Sequence, residues 1–536
     1  MNNAIVVMFD TLQFNYVGCY GNDWIKTPNM DRFAREGVLF ENAYTEGLPT
    51  IPCRRAMHTG RFTLPYGGWK PLSMEDTTIA DLCWGRPIDT ALIFDCPMYR
   101  QPKFGYTRGF DKVFFTHGHE MDHYYYEQDP LIHYSYPYEQ FFDPTSLDNI
   151  TKVMNDRVRA AAIEEMEGYL KQMQYWKSED DRYVARTMKK AVEYLKQVDR
   201  NKQFYLWVDS FDPHEPWNGP SCYVPGVKNP YDPDYEGVKE FFPHPCEVKD
   251  VYTEDQLHHI RMLYAEMVTV CDRWFGYLLD SIRELGFEEN TLVMMVSDHG
   301  SPMGNGMHGH GAMRKLRPWP YEELSHIPFI VRFPGCEAGK RVSAFVMSID
   351  VAPTVCDWLG IGVHPSMHGK SLLPVMRGET DKVHPFAISG YFKAGWAIYT
   401  EDWSYVHWPL NDKNSNEFGQ DVTKNVAMFS THLTADGKGI KTASGENSDA
   451  QMAHDGNGPA EEDTLTRHHK AATTDGEAMW TCTPGSAYIT PEADELYDRR
   501  NDPFQLNNVI KDNPEVAKKL LMTLKDFIAD LQAENA

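Results

Sequence analysis

The sequence has few of the features that mark disulfide-stabilised or membrane-spanning proteins. Its ten cysteines lie singly along 536 residues without a Cys-x-x-Cys pair, a usage typical of reduced thiols in the cytosol. No apolar run approaches the ~18–20 residues that a membrane span requires. The chain opens Met-Asn-Asn and continues into an apolar run at residues 4–9, without a basic segment or a small-residue cleavage site. We therefore expect a cytoplasmic protein that makes no membrane contact.

Basic residues are also scarce. The chain has 52 lysines and arginines against 77 aspartates and glutamates, a formal net charge of -25. No general positive field attracts nucleic acid, so we expect no nucleic-acid partner. A small anionic substrate therefore requires a local cluster of positive charge. Composition leaves the oligomeric state open, including a homo-oligomer.

Short apolar runs alternate with helical patterns through most of the chain. The run at residues 4–9 ends in Asp10 and Thr11, as in a parallel strand buried on both faces. A helix is predicted at residues 256–285, because Thr253 and Gln256 have the spacing of a capping box. Further strands are predicted at residues 90–94, 204–208, 291–296 and 329–331. The alternation predicts an α/β domain with a largely parallel sheet.

The sequence changes character after residue 385. Short aromatic segments at residues 396–400 and 403–407 predict strands, and residues 514–532 predict a terminal helix. Residues 411–484 between them are rich in Gly, Thr, Asp and His, a composition that buries little apolar area. We predict a catalytic domain at residues 1–385 and a smaller C-terminal α+β subdomain at residues 386–536, with residues 411–484 as a polar insertion.

Several short motifs follow one another in a characteristic order. They include Asp10-Thr11, Thr59-Gly60-Arg61, Asp212-Pro213-His214-Glu215-Pro216, Ser297-Asp298-His299-Gly300 and Glu495-Leu496-Tyr497-Asp498. Together they resemble the sulfatase family of the alkaline phosphatase superfamily, from the first strand to the final helix. The resemblance implies an alkaline phosphatase-like fold, with a large, mostly parallel sheet sandwiched by helices. It also implies a metal-dependent hydrolase of small anionic esters.

The position of the family's nucleophile is occupied by threonine. Sulfatases carry a Cys-x-Pro-x-Arg segment nine residues before the Thr of Thr-Gly-Arg, and its cysteine is oxidised to formylglycine. Here the segment reads Thr50-Ile51-Pro52-Cys53-Arg54. The resemblance therefore implies Thr50 as the nucleophile, and Arg54 as the residue that holds its loop and neutralises its alkoxide. Formylglycine is not expected at Cys53, because the proline and arginine that should follow it are missing.

A hydroxyl nucleophile can be activated by a divalent cation that lowers its pKa. Asp10 and the Asp298-His299 pair each follow a predicted strand, and the carboxyl edge of a parallel sheet is where α/β proteins bind ligands. We predict that Asp10, Thr50, Asp298 and His299 bind one metal ion. The mixed oxygen and imidazole ligands favour zinc or manganese over calcium or magnesium.

Two more residues match family positions that contact the substrate oxyanion. They are His214 of the Asp-Pro-His motif and Lys315, which lies five residues after His310. We predict His214 as a general acid and Lys315 as a charge stabiliser, with His310 in the same catalytic group. Alternatively, Asp212, His214 and His310 bind a second metal, as in the two-zinc phosphodiesterases of the superfamily.

The chain departs from the family after residues 90–93. Most sulfatases continue with Gly-Lys-x-His, whose lysine and histidine grip the sulfate and assist the formylglycine diol, whereas this chain reads Phe94-Asp95-Cys96-Pro97. Asp95 either caps a turn or binds a polar substrate group. A stretch rich in tyrosine and histidine, which includes His117, His119 and Tyr138, either lines a substrate cleft or packs within an insertion.

The threonine favours phosphorus chemistry. A sulfated threonine lacks the hemiacetal collapse that formylglycine provides, whereas water can attack a phosphorylated intermediate. We therefore predict hydrolysis of a phosphate or phosphonate ester, of the phosphodiesterase or phosphonate monoester hydrolase type. The alternatives are a sulfatase that works without formylglycine, and a catalytically inactive sulfatase-like binding protein that keeps the fold and the metal.

Overall fold

The computed structural model describes most of the chain, and the described residues form three sheets. It covers residues 1–100, 104–120, 122, 136–141, 143–153, 156–304, 309–315, 320–392, 394–408 and 493–533. The strands are β1 (Asn3–Phe9), β2 (Val38–Tyr44), β3 (Ile88–Phe94), β4 (Lys112–Phe115), β5 (Gln203–Ser210), β6 (Cys246–Glu247), β7 (Thr291–Ser297), β8 (Met303–Gly304), β9 (Ala312–Met313), β10 (Phe329–Arg332), β11 (Lys340–Met347), β12 (Ala387–Tyr391), β13 (Gly395–Tyr399), β14 (Trp403–His407) and β15 (Glu495–Asp498). The helices are α1 (Pro28–Glu36), α2 (Thr50–Thr59), α3 (Ile79–Cys83), α4 (Pro97–Arg100), α5 (Pro144–Val153), α6 (Asp156–Met173), α7 (Tyr183–Leu195), α8 (Pro220–Tyr223), α9 (Glu254–Glu284), α10 (Glu322–Ser325), α11 (Val351–Leu359), α12 (Leu373–Met376) and α13 (Pro514–Ala533). The smallest of the three sheets consists of β6, β9 and β8.

The largest sheet has eight strands in the order β11-β2-β10-β7-β1-β5-β3-β4. Its neighbouring strands are parallel except at β10, which runs antiparallel to both β2 and β7. Every residue of β1 and β7 is buried, because helices cover both faces of the sheet, and this explains the continuous apolar runs. The prediction of a large, mostly parallel sheet between helices is confirmed.

The helix predicted at residues 256–285 is confirmed as α9, which has 31 residues. Its capping box is formed as the spacing indicates, because Thr253 Oγ1 accepts from the Gln256 amide at 3.2 Å and Gln256 Oε1 accepts from the Thr253 amide at 2.8 Å. The apolar side of α9 packs on α1 and α7. No described helix is long and apolar enough to cross a membrane.

The four-stranded sheet lies in the C-terminal part of the chain. It is antiparallel, with the order β12-β13-β14-β15, and α13 packs against it. The predicted strands at residues 396–400 and 403–407 correspond to β13 and β14. The predicted insertion at residues 411–484 lies outside the described residues, and the domain boundary at residue 385 stays a prediction.

One buried carboxylate fixes the beginning of α1 to α9. Asp272 on α9 accepts the amide hydrogens of Asn29 at 3.0 Å and Met30 at 2.7 Å, and the Asn29 side-chain amide at 2.9 Å. The two backbone amides belong to the first turn of α1, where amide hydrogens have no acceptor within their own helix. Asp272 therefore caps α1 from a distant part of the sequence.

We predict that Asp272→Ala lowers the free energy of unfolding by ~1–3 kcal/mol, because it leaves buried amide donors without a partner. Thermal unfolding of the purified variant measures the loss. The matched control is Asp280→Ala on the same helix, which removes an exposed ion pair with Arg32 at 2.8 Å and should cost less than ~1 kcal/mol. Equal midpoints for the two variants would contradict the capping role.

Candidate active site

Three aspartates meet where three adjacent strands end or approach their ends. Asp10 and Asp298 directly follow β1 and β7, and Asp209 is the penultimate residue of β5. Because β1 lies between β5 and β7, the backbone brings these residues together. The Asp10 amide donates to Ser210 O at 2.9 Å, and the Asp298 amide donates to Phe9 O at 3.2 Å.

Arg54 joins the three carboxylates. Its Nη1 lies 2.8 Å from Asp10 Oδ2 and 2.6 Å from Asp298 Oδ2. Its Nε and Nη2 donate to the two oxygens of Asp209 at 3.0 and 2.8 Å. All four side chains are fully buried. One guanidinium faces three carboxylates, so this group of residues retains negative charge when the carboxylates are ionised.

Thr50 lies beside this group because Arg54 is one turn further along α2. Thr50 is the first residue of α2, where the amide groups and the helix dipole favour negative charge. The Arg54 Nη1 also lies 3.4 Å from Thr50 O. The Thr50 Oγ1 is 3.4 Å from His299 Nε2, so the predicted nucleophile and the predicted metal ligands occupy one site.

The hydrogen bonds of His299 determine which nitrogen can bind a metal. Its Nδ1 lies 2.7 Å from Gly300 O, and a carbonyl can only accept, so Nδ1 carries the hydrogen. Burial and the charge of Lys315 together lower the pKa of His299 to about 3. The imidazole is therefore neutral, and the lone pair of Nε2 faces Thr50 and the aspartates.

The geometry of this group fits a divalent cation. Asp10, Asp298 and His299 each offer a ligand atom within 4.8 Å of the others, and Asp10 Oδ1 has no hydrogen-bond partner although it is buried. The His299 Nε2 lies 3.6 Å from Asp298 Oδ2 and 4.0 Å from Asp10 Oδ1. A tetrahedral site with bonds of ~2.0–2.1 Å separates its ligands by about 3.4 Å. Small movements therefore bring these atoms to coordination distances.

Electrostatics favours the same conclusion. Burial and the neighbouring Asp298 together raise the pKa of the Asp10 carboxyl to about 7, against the opposing effect of Arg54. Burial also raises the pKa of Asp298. Two carboxylates that resist ionisation together are stabilised when a cation lies between them.

Thr11 has an unusual backbone conformation next to the site. Its φ of 59° is in the left-handed region, which β-branched residues rarely adopt. The conformation points the Thr11 amide at Asp298 Oδ1, which accepts it at 3.0 Å. The His299 amide donates to the same oxygen at 2.7 Å. Asp298 is thereby held with its Oδ2 towards Arg54 and His299.

Comparison with known families agrees with this geometry. A family model described as Sulfatase matches residues 2–361, which is more than half of the chain. The chain belongs to the sulfatase family. A second family model, described as N-sulphoglucosamine sulphohydrolase, C-terminal, matches residues 309–417. The predicted membership, and with it the predicted hydrolase of sulfuric or phosphoric ester bonds, is confirmed.

Individual relatives are distant. An N-acetylglucosamine-6-O-sulfatase of Bacteroides thetaiotaomicron is 23% identical over 76% of this chain and 78% of its own length. The multifunctional alkaline phosphatase superfamily protein PehA of Trinickia caryophylli is 25% identical over 66% and 72%.

Two solved structures resemble the whole fold. A phosphonate monoester hydrolase of Agrobacterium radiobacter has a TM-score of 0.62 at 17% identity, with 100% of this chain and 96% of that one covered. A 2-O GAG sulfatase has a TM-score of 0.59 at 18% identity, with 99% and 92% covered. The alkaline phosphatase-like fold is thereby confirmed.

His214 and Lys315 form a pair, as their family positions imply. Lys315 Nζ lies 3.0 Å from His214 Nε2, and the charge of Lys315 acts on Asp10, Asp298 and His299. His214 Nδ1 lies 2.8 Å from Glu215 O, which can only accept. Burial lowers the pKa of His214 well below its usual value. Its Nε2 is therefore an acceptor, and Lys315 is the donor of the pair.

His310 forms hydrogen bonds with Glu323 and Gln505, and its predicted place in the catalytic group stays a prediction. Its Nδ1 lies 3.1 Å from Glu323 Oε1, its Nε2 lies 2.9 Å from Gln505 O, and its ring stacks on Tyr321. These contacts tie the catalytic domain to the C-terminal segment. His310 therefore has a structural environment.

The predicted ligand set for a second metal is corrected. Asp212 binds Arg182 and His119 instead of His214. A different group of potential ligands, Glu120, His214 and Glu215, lies within 4.8 Å. Arg314 contacts both of these glutamates, at 3.8 Å in the case of Glu120, and Lys315 contacts His214. Basic side chains therefore supply the positive charge that a second metal would bring.

Two residues near the nucleophile have structural contacts. Asp95 accepts the amide of Phe211 and, at 2.9 Å, the hydroxyl of Thr187, so it joins β3 to β5 as the capping interpretation expects. Cys53 Sγ lies 3.0 Å from Thr45 Oγ1 and 2.8 Å from Gly47 O. Burial raises the pKa of the Cys53 thiol well above its usual value.

The remaining residues of the site could be predicted only in part from their motifs. Glu215 follows His214 within the recognised motif, but its pairing with Arg314 depends on the path of a later loop. Glu120 and His119 belong to the stretch rich in tyrosine and histidine, whose role was open. Arg182 has no motif, and its contact with Asp212 follows only from the packing of α7 beside β5.

We predict that the metal-loaded protein binds one zinc or manganese ion per chain at this site, and that Asp298→Asn loses most of it. The variant removes one charged ligand and weakens the pairing with Arg54. Metal content after dialysis, measured by plasma mass spectrometry, tests this. Asp95→Asn is the matched control, because Asp95 is also fully buried at a strand end but lies outside the ligand group. Full metal retention in Asp298→Asn would exclude the assigned site.

Proposed function

We propose that this protein hydrolyses a phosphodiester or phosphonate monoester through nucleophilic attack by Thr50. The observation that carries the proposal is the 3.4 Å contact between Thr50 Oγ1 and His299 Nε2, at the first turn of α2 and beside Asp10 and Asp298. A hydroxyl in this position can attack an ester whose charged oxygens face the same ligands. The substrate is a small anionic ester.

Several groups support the attacking oxygen. Asp10, Asp298 and His299 would hold a divalent cation, which would lower the pKa of the Thr50 hydroxyl and neutralise charge on the transferring group. The amides at the start of α2 favour the anionic form of Thr50. Arg54 keeps the carboxylates in place, since it binds each of them at 2.6–3.0 Å.

Lys315 is the group that we assign to the leaving oxygen. Because His214 Nε2 is an acceptor, the hydrogen between the two residues belongs to Lys315 Nζ. Lys315 therefore donates to the leaving oxygen, and His214 orients the ammonium group. This reverses the roles expected from the sequence, in which His214 was the acid and Lys315 the charge stabiliser.

The nature of the intermediate favours phosphorus. An ester on Thr50 has no second hydroxyl on its carbon, so water must attack the transferred group itself. Water attack on phosphorus is a common enzymatic step. The similarity to a phosphonate monoester hydrolase in fold and to PehA in sequence supports this choice.

Sulfate ester hydrolysis is the second candidate. Both family models and the arylsulfatase and N-acetylglucosamine-6-O-sulfatase relatives favour it. The same oxyanion site accepts either tetrahedral group, so the difference lies in how fast the Thr50 ester is cleaved.

We predict that Thr50→Ala lowers kcat/KM for an aryl phosphodiester by at least ~10³-fold, because no other described hydroxyl occupies the nucleophile position. Thr50→Ser keeps a hydroxyl and should retain measurable turnover. Both variants and the wild type are assayed with zinc or manganese on an aryl phosphodiester, an aryl phosphonate and an aryl sulfate.

The outcomes separate the candidates. Preference for either phosphorus ester supports the proposal, and preference for the sulfate selects the second candidate. Full activity in Thr50→Ala would rule out the nucleophile. Stoichiometric metal without turnover of any ester would instead support an inactive binding protein.

We predict that Lys315→Met slows hydrolysis ~10²-fold for phenols of high pKa and much less for nitrophenol esters, because good leaving groups need no proton. A series of aryl esters measures this dependence. Lys340→Met serves as the control, since Lys340 lies on β11 and bonds to Met376 O at 3.2 Å. An equal loss for every leaving group would assign Lys315 to substrate binding alone.

A further inference from the structure

His119 is a buried histidine held at one nitrogen only. It follows β4, and its Nε2 lies 3.1 Å from Asp212 Oδ1. The Asp212 carboxylate is fixed in turn by Arg182, whose Nε donates to it at 3.0 and 3.1 Å, and by the Val184 amide at 2.9 Å. The His119 Nδ1 is buried and has no hydrogen-bond partner among the described residues.

The hydrogen of the His119 ring lies on the side of Asp212. Arg182 and His119 keep the pKa of Asp212 below its usual value, so its carboxylate is ionised and accepts. Burial lowers the pKa of His119, against the opposing effect of Asp212, so the ring is neutral. The Nε2 therefore donates to Asp212, and Nδ1 carries a lone pair.

Backbone and ring contacts connect His119 to the residues of the proposed reaction. Asp212 comes two residues after Ser210, whose carbonyl accepts the Asp10 amide at 2.9 Å. The Phe211 ring contacts His119 edge-on at 4.9 Å between centroids and stacks on His214 at 4.1 Å. The charge of Asp10 also acts on His119. His119 therefore belongs to the same end of the sheet as Thr50.

The other two histidines of the site use their lone pairs elsewhere. His299 Nε2 faces Thr50 and the metal-binding carboxylates, and His214 Nε2 accepts from Lys315. General bases in enzymes are often buried imidazoles that a carboxylate orients through one ring nitrogen, with an unpaired lone pair on the other nitrogen.

We propose that His119, oriented by Asp212, is the general base that activates water to hydrolyse the ester on Thr50. This inference rests on the proposed function, because it requires a covalent Thr50 ester. The water oxygen bonds to phosphorus or sulfur while its proton moves to His119 Nδ1. The bond from that atom to Thr50 Oγ1 breaks, Thr50 keeps the electron pair, and His119 then releases the proton to solvent.

The roles of His119 and Lys315 are thereby divided between the two steps. Lys315 donates a proton to the leaving oxygen when the ester forms, and His119 removes one from water when it is cleaved. Loss of His119 should therefore leave the first step intact. A residue that only maintains the fold would slow both steps when it is lost, so the effect on each step distinguishes His119 from such a residue.

The test is rapid-quench kinetics of His119→Gln on an aryl phosphodiester, with metal present. Glutamine can donate to Asp212 but provides no base. We expect a burst of about one phenol per chain, followed by steady turnover ~10²-fold slower than the wild type. Intact mass spectrometry of the quenched variant should show the ester, and peptide mapping should place it on Thr50.

His117→Gln is the matched control. His117 lies on the same loop, and its Nδ1 lies 2.9 Å from Asp122 Oδ2, so it is also a histidine paired with an aspartate. It is partly exposed, at 33%, and no step is assigned to it. We expect wild-type turnover and no accumulated ester.

A second variant covers the case in which His119→Gln does not fold. His119→Gly leaves space for free imidazole, which should restore the slow step in a concentration-dependent way. The inference is overturned if His119→Gln turns over like the wild type, if the burst and steady rates fall together without an ester, or if imidazole does not rescue. Full activity of Thr50→Ala overturns the proposed nucleophile and this inference with it, whereas the other outcomes overturn the role of His119 alone.

Discussion

The contacts of Arg54 with three aspartates are the interaction on which the site depends. Asp10, Asp209 and Asp298 come from three different strands, and none of them is exposed to solvent. Removing one partner from a buried ion pair costs ~3–5 kcal/mol, since it leaves a charge without compensation. Arg54 therefore fixes the strand ends relative to α2, and it places Thr50 one turn before it. The same contacts leave excess negative charge, and this charge suits the site to a divalent cation.

Much of this arrangement could be predicted because it follows local rules. Asp10 and Asp298 stand directly after buried apolar runs, and the ends of parallel strands meet at one edge of a sheet. Short sequence patterns also predicted the capping box of α9 and the strands β13 and β14. The direction of β10 was not predictable, because residues 329–331 are too short a run to distinguish parallel from antiparallel pairing. The surroundings of His310 could not be predicted from its spacing to Lys315, because Glu323, Tyr321 and Gln505 create them from other positions in the sequence.

The two predicted histidines of the site, His214 and His299, form the same local hydrogen bond. His214 and His299 each donate from Nδ1 to the carbonyl of the following residue, at 2.8 and 2.7 Å. Each ring is therefore neutral and presents an Nε2 lone pair. The surroundings then determine its chemistry: carboxylates and a hydroxyl suit His299 to the predicted role of metal ligand, and an ammonium group makes His214 an acceptor. Residue type and motif position could not distinguish these roles. The roles depend on which ring nitrogen carries the hydrogen and on which groups surround the other nitrogen.

The threonine at residue 11 connects the metal site to the choice of nucleophile. Its place next to Asp10 is where many sulfatases carry a second aspartate, so this site has one carboxylate fewer. A less negative ligand group would leave more of a bound cation's charge for the oxygen of Thr50, the proposed nucleophile. This matters for a threonine, because an alcohol is a far weaker acid than the hydrated aldehyde of formylglycine. Thr11 also holds Asp298 through its amide at 3.0 Å, so the exchange of a ligand for a backbone contact preserves the geometry while it changes the charge. If Thr50 is the nucleophile as we propose, the threonine at residue 11 favours its activation, because it removes one negative charge beside Asp10.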